Sequence, residues 1–263
     1  MKSPSLCYKI LGDISKPSII LLHGFLGSKE DWSDLSKELI SDYRLVLIDL
    51  PGHGKSIDLD DYMYSIDSVC EQIKLILDIE NIQHCIVLGY SMGGRIALNF
   101  AEKNNKFIDS LILISSSFGI ENIDERQKRI ESDLKICDRI MKDSQSDFLN
   151  FWYNLDVFEG VKQNNIYDYL IKKRSHYIKE EIVKSLQNSG TGTMNSFWNT
   201  MDLFQFPIHY LYGSMDKKYS KIAKEIKAKS KLIRLYEIEN CGHIVFLEQK
   251  YQFIQTIIRI LNN

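Results

Sequence analysis

The chain has 263 residues, 44% of them hydrophobic, a size at which α/β architectures commonly remain one domain around a single core. Lys and Arg (33) nearly balance Asp and Glu (35), and the net charge of −2 excludes a broad field for nucleic acid or an anionic membrane, so a charged ligand must be met locally. Met1 to Ile10 lacks the apolar run of a secretory signal, no later stretch reaches membrane-spanning length, and the five scattered cysteines (Cys7, Cys70, Cys85, Cys137, Cys241) include no Cys-x-x-Cys; the sequence reads as cytoplasmic, without membrane insertion, disulfides or a metal site.

In chain order, short apolar runs recur at Ser18 to Leu22, Arg44 to Ile48, Cys85 to Leu88 and Leu111 to Ile114. Segments of helical periodicity lie between them, at Asp31 to Ser41 and Ile66 to Ile79. Uniformly apolar strands alternating with helices predict a mostly parallel sheet covered on both faces. From Gly119 to about Trp198 the chain turns charged, helical in period and free of proline, which predicts an inserted helical cap. Pro207 then introduces a strand at Ile208 to Tyr212, a helix around Ser220 to Ala228, a strand at Leu232 to Ile238 and a closing helix from Tyr251 to Leu261. The expected organisation is a single domain over 1–263, with a core of 1–118 and 201–263 and a cap of about 119–200.

The strongest motif is Gly89-Tyr90-Ser91-Met92-Gly93-Gly94, between a strand and the helical Arg95 to Lys103. A G-x-S-x-G in that context places serine on a sharp turn at the C-terminal edge of a sheet, the signature of an α/β-hydrolase fold. A serine hydroxyl is inert at neutral pH, so the elbow predicts an acid and then a histidine later in the chain. Asp216, just past the strand Ile208 to Tyr212, and His243, between the last strand and the last helix, meet that order. Asp49 is a weaker rival acid because it precedes the serine. His84, His176 and His209 have loop, cap and strand contexts that need no catalysis, and His53 belongs to a structural turn. That turn ends Gly54-Lys55-Ser56 like a phosphate-binding loop, but Asp49 stands where the motif requires glycine, which excludes ATP or GTP.

His23-Gly24-Phe25-Leu26-Gly27 follows the first apolar run, and this fold takes one oxyanion donor from that loop. The expected oxyanion hole is the pair of backbone N–H groups of Phe25 and Met92. Preorganised donors of this kind are each worth about 3 kcal/mol to a developing oxyanion. Arg95, four residues after Ser91, and the cap's Arg129 and Arg174 are cations that a neutral-ester hydrolase does not need; converging on one pocket, they would imply a substrate rich in carboxylates.

These blocks, with Leu22 to Ser28, Asp31-Trp32, Asp49 to Gly54, Glu125-Arg126 and Phe151-Trp152-Tyr153, resemble the 2-succinyl-6-hydroxy-2,4-cyclohexadiene-1-carboxylate synthases of menaquinone or phylloquinone biosynthesis. The resemblance implies a lyase that eliminates pyruvate from 2-succinyl-5-enolpyruvyl-6-hydroxy-3-cyclohexene-1-carboxylate. It implies Ser91 as general base with His243 and Asp216, and a tricarboxylate site formed by Tyr90, Arg95, Arg129, Trp152 and Arg174, with Phe158 on its wall. No cofactor is implied, and oligomeric state is not legible. Two departures from the family pattern stand out: Glu248 is followed by Gln249 and Lys250 without the usual proline, and Phe246 replaces a residue that is polar in some relatives. A capped serine hydrolase of esters or carbon–carbon bonds remains the alternative, and a ligand-binding protein that retains the hydrolase fold is the reading from another class.

Overall fold

The computed structural model describes residues 4–262. Seven strands form one sheet in the order β1 (Tyr8–Leu11), β3 (Arg44–Ile48), β2 (Ser18–Leu22), β4 (Cys85–Tyr90), β5 (Ile108–Ile114), β6 (Ile208–Gly213) and β7 (Arg234–Ile238). Only the β1–β3 pair is antiparallel. Parallel neighbours need crossovers, which α1 (Ser33–Leu39), α2 (Ile66–Ile79) and α3 (Met92–Lys103) supply in the first half, and α9 (Lys217–Lys229) between β6 and β7. α10 (Val245–Glu248) and α11 (Lys250–Leu261) close the chain.

β2 and β3 are buried at every position because both faces of the sheet are covered. Alternation still sorts their side chains: Ile20 and Leu22 pack with α2 and α3, while Ile19 and Leu21 pack with α1 and α11. Helix α2 starts where Ser65 accepts the Ser68 N–H at 3.2 Å. The expected bounds of β2, β3 and α2 are those observed. β4 runs two residues further, through Gly89 and Tyr90, and β5 begins at Ile108. The region expected as helix from Asp31 is a short 3-10 turn, Lys29–Trp32, leading into α1. β1 was not anticipated: four half-exposed residues on a sheet edge carry little apolar signal.

Between β5 and β6 lie five helices, α4 (Ile123–Lys142), α5 (Gln145–Trp152), α6 (Glu159–Gln163), α7 (Tyr167–Arg174) and α8 (Lys179–Ser189). Their two connections to the sheet are fastened together, since Phe197 donates its N–H to the Phe118 carbonyl (2.7 Å) and Trp198 Nε1 donates to the Gly119 carbonyl (3.0 Å). Polar ties also hold the helical layer down. Tyr64 donates to the buried Glu181 of α8, Lys184 pairs with Asp61 (2.7 Å), and Arg174 at the end of α7 pairs with the buried Asp31 (2.6 Å). Among the described residues no helix is long and apolar enough to cross a membrane.

The turn after β2 is shaped by two buried histidines whose rings lie 5.1 Å apart. His23 Nε2 accepts the Leu50 N–H (2.9 Å) and His53 Nε2 accepts the Leu26 N–H (3.0 Å), while each Nδ1 faces a carbonyl, of Gly24 and Pro51 respectively. Both rings must therefore be neutral, with the proton on Nδ1; a second proton would set N–H against N–H. Burial lowers both pKa values, and that of His53, where a proton on the neighbouring His23 would add repulsion, falls to about 3. In the unfolded chain a histidine takes its proton near pH 6.5. The stability from these neutral rings is therefore full above that value and is lost as pH falls below it, with a slope approaching about 1.4 kcal/mol per pH unit for each ring. Urea unfolding at pH 7.5 and 5.5 should show this loss, and His53→Gln, whose amide oxygen can still accept the Leu26 N–H, should reduce it. Equal pH dependence in parent and variant would contradict the role given to His53.

Candidate active site

Ser91 sits between β4 and α3 with φ 49° and ψ −106°, a conformation that costs energy for any residue with a Cβ. The surroundings enforce it. The Ser91 N–H donates to the Ile114 carbonyl (2.9 Å), and its own carbonyl accepts from Ser116 Oγ (3.0 Å). The helix can begin this close to the sheet because a Cβ at Gly93 would overlap the Leu22 and His23 carbonyls, and one at Gly94 would press on Ser116. The hydroxyl is thereby raised above the strand ends, at the start of a helix.

The acid and the base arrive from the far end of the chain. Asp216 caps α9, taking the Tyr219 N–H on Oδ1 (3.1 Å), and its Oδ2 lies 2.8 Å from His243 Nδ1. His243 Nε2 lies 3.1 Å from Ser91 Oγ. Asp216 and His243 are buried. Three rings surround the imidazole: Tyr219 stacked at 4.8 Å, Tyr90 at 5.3 Å and Phe158 at 5.5 Å. Such a series can pass the serine proton to histidine while the carboxylate stabilises the resulting imidazolium. Asp49, the rival acid, is spent elsewhere: it is ion-paired with Lys29 and accepts the N–H groups of Lys29 and Lys55.

A cavity of about 260 Å³ opens above Ser91. Phe25 and Met92, the residues expected for the oxyanion hole, both line this cavity with Ser91. As the first residue of α3, Met92 has an N–H with no acceptor within its own helix. Tyr90, Trp152 and Phe158 form an aromatic wall, in which Trp152 bridges Phe25 (5.3 Å) and Phe158 (5.6 Å). Arg95, Arg129 and Arg174 all line the same cavity. Asp216 stands behind His243. The residues singled out in the sequence thus meet in one place, from both ends of the chain and from three helices between β5 and β6.

The three arginines differ in how their charge is compensated. Arg174 is ion-paired with Asp31, which outweighs the effect of burial and raises its pKa above the ordinary arginine value; Tyr153 is a second partner. Arg129 pairs with Asp133, one helical turn further along α4 (2.9 Å). Arg95 is buried, donates Nη2 to the Ser189 carbonyl (2.9 Å), and forms no ion pair among the described residues; its Nε has no partner. Burial lowers its pKa to about 10, still leaving it charged at neutral pH. The only carboxylate whose charge acts on it is Asp133, which is already paired with Arg129; a buried cation without an ion-pair partner of its own is costly, and an anionic ligand would relieve that cost.

Among the further lining residues, Asp133, Tyr153, Lys218 and Tyr219 were not assigned to the site from the sequence. Their positions held a signal. Lys218 and Tyr219 lie in the first turn of α9, beside Asp216; Asp133 lies four residues after Arg129; Tyr153 adjoins Trp152. Phe246 proves to lie behind the wall, against Tyr90 (5.0 Å) and Trp32 (5.3 Å).

Comparison with known proteins agrees with this geometry. The sequence profile of the alpha/beta hydrolase fold family matches residues 17–250. A protein of Yersinia enterocolitica serotype O:8 / biotype 1B, named 2-succinyl-6-hydroxy-2,4-cyclohexadiene-1-carboxylate synthase, is 30% identical over 228 residues, covering 86% of this chain and 80% of its own. A Bacillus subtilis (strain 168) protein, provisionally given the same name, is 30% identical over 256 residues, covering 96% of this chain and 93% of its own. The solved structure of MenH from S. aureus superposes with a TM-score of 0.90 at 27% identity, covering 97% of each chain. The chain therefore belongs to the alpha/beta hydrolase fold family and, within it, to the family of the 2-succinyl-6-hydroxy-2,4-cyclohexadiene-1-carboxylate synthases.

Proposed function

We propose that this protein is a carbon–oxygen lyase of menaquinone or phylloquinone biosynthesis. It eliminates pyruvate from 2-succinyl-5-enolpyruvyl-6-hydroxy-3-cyclohexene-1-carboxylate to give 2-succinyl-6-hydroxy-2,4-cyclohexadiene-1-carboxylate. The observation that carries this reading is the buried Arg95, without an ion-pair partner of its own, facing the same cavity as Ser91, with Arg129 and Arg174 on its other walls. A substrate bearing three carboxylates supplies the missing negative charge, and arginine's planar fork suits it.

The elimination needs one base and one oxyanion site. Ser91, its proton passing to His243, removes the ring proton next to the succinyl carbonyl. The electron pair of that C–H bond moves onto the carbonyl oxygen, where the Phe25 and Met92 N–H groups stabilise the enolate. Its return forms a ring double bond at the carbon that lost the proton, shifts the existing one, and breaks the ring carbon–oxygen bond. The leaving group departs as the enolate of pyruvate and is protonated. No water and no cofactor enters the balance. The arginines hold the carboxylates so that the ring proton faces Oγ, and the aromatic wall presses on the ring.

Two substitutions test the assignment. Ser91→Ala should lower pyruvate release, followed by a coupled lactate dehydrogenase assay, by about a thousandfold. Arg95→Ala should lower kcat/KM by about a hundredfold, with thermal unfolding reported alongside because the side chain also bonds Ser189. The hydrogen-bonded Ser91, His243 and Asp216 would equally suit acyl transfer, so a capped hydrolase is the second reading. Efficient turnover of simple esters, no pyruvate from the cyclohexene and an Arg95→Ala variant near parental activity would together decide for it.

A further inference from the structure

His243 is held by more than Asp216. It lies on the loop between β7 and α10, and the residues on either side of it donate their N–H groups to one carboxylate: Gly242 N–H to Glu248 Oε2 (2.6 Å) and Ile244 N–H to Glu248 Oε1 (2.8 Å). Glu248 is 7% exposed and forms no ion pair among the described residues. A buried carboxylate without a cation is tolerated only when its oxygens are well supplied with donors, and here the N–H groups of Gly242 and Ile244 supply them.

A third donor comes from the helical layer above. Asn164, just past α6, gives Nδ2 to Glu248 Oε2 at 3.1 Å. Gly160 of α6 lies directly on Gly242, where a Cβ would come within 2.8 Å of the Gly242 Cα and overlap the Glu248 carboxylate. The backbone of α6, the carboxylate and the histidine loop thus form one close contact, which two glycines make possible.

We propose that Glu248 is a positioning residue: it fixes the imidazole of His243 against Ser91 by clamping the N–H groups of the residues on both sides of it, Gly242 and Ile244, and it is itself seated by Asn164 of the helical layer. The proposal rests on His243 taking the Ser91 proton, and not on which substrate is turned over. Glutamine at this position has the right size but only one acceptor oxygen, so its amide nitrogen must face one of the two peptide N–H groups. One side of His243 would then lose its tether.

The experiment compares the parent with Glu248→Gln and Asn164→Ala, reading kcat, KM, the unfolding temperature and the downfield proton resonance of the His243 Nδ1–H that faces Asp216. Glu248→Gln should lower kcat about tenfold to a hundredfold, as small misplacements of reacting groups do. KM should stay within about twofold and the resonance should broaden into exchange with water. Asn164→Ala, which leaves both peptide bonds to the carboxylate, should show the same changes in smaller degree. An unchanged kcat or an unchanged resonance in Glu248→Gln overturns the proposal. If that variant does not fold, parental kcat and resonance in Asn164→Ala overturn it. The resonance needs no substrate, so it reads the positioning even if the lyase assignment fails.

Discussion

The left-handed backbone at Ser91 is the constraint on which the rest of the site depends. A serine forced to φ 49° persists only because the peptide is fixed to β5 on one side and the helix behind it can approach to within glycine distance of β2. That approach aims the hydroxyl at the space above the strand ends and leaves the first N–H of α3 unspent beside it. Everything else can be supplied by loops because this point is rigid. Asp216 and His243 come from turns after β6 and β7, each brought to the same edge by parallel strand direction.

A second constraint is electrostatic. Two of the three cavity arginines already have acids: Asp31 for Arg174 and Asp133 for Arg129. These pairs hold the guanidinium groups in place without exhausting their donors, since arginine carries five N–H groups. The Arg174–Asp31 pair also joins the helical layer to the turn after β2, so the same contact that orients a cavity arginine fixes the roof over the serine. Arg95 stands apart, a cation in the interior whose nearest hydrogen-bond partner is a neutral carbonyl. Folding tolerates that arrangement at a cost, which is the physical reason for regarding the cavity as built around an anion.

What could be read in the sequence followed from how local the signal is. β2, β3 and α2 were legible to the residue because uniform burial makes a strand uniformly apolar and because Ser65 marks its helix start. β1 was invisible, having only an edge to occupy. The breaks between the five inserted helices were also hidden, because α7 is polar on most faces and its position is set by an ion pair with a residue 143 positions away. At the site, Ser91, Asp216 and His243 were legible from order and context, and Arg95 from its distance along the chain to Ser91. Of the neutralising acids, Asp133 is signalled only by its spacing of four residues from Arg129, and nothing in the sequence says that Asp31, 143 positions away, will face Arg174.

The base and nucleophile readings of Ser91 differ in what must reach it, and the walls bear on that difference. A hydrolase must bring water to the same carbon that serine has attacked, late in the cycle and beside His243. Here Tyr90, Phe158 and Tyr219 close around the imidazole, and Trp152 extends the apolar surface to the oxyanion loop. A proton abstraction has no such need, because histidine only receives a proton and returns it. Apolar walls of this kind strengthen charge–charge contacts beside them, including those between arginines and carboxylates. In the proposed elimination the aromatic enclosure and the buried cation would act in the same direction, each helping to hold an anionic ring over Ser91.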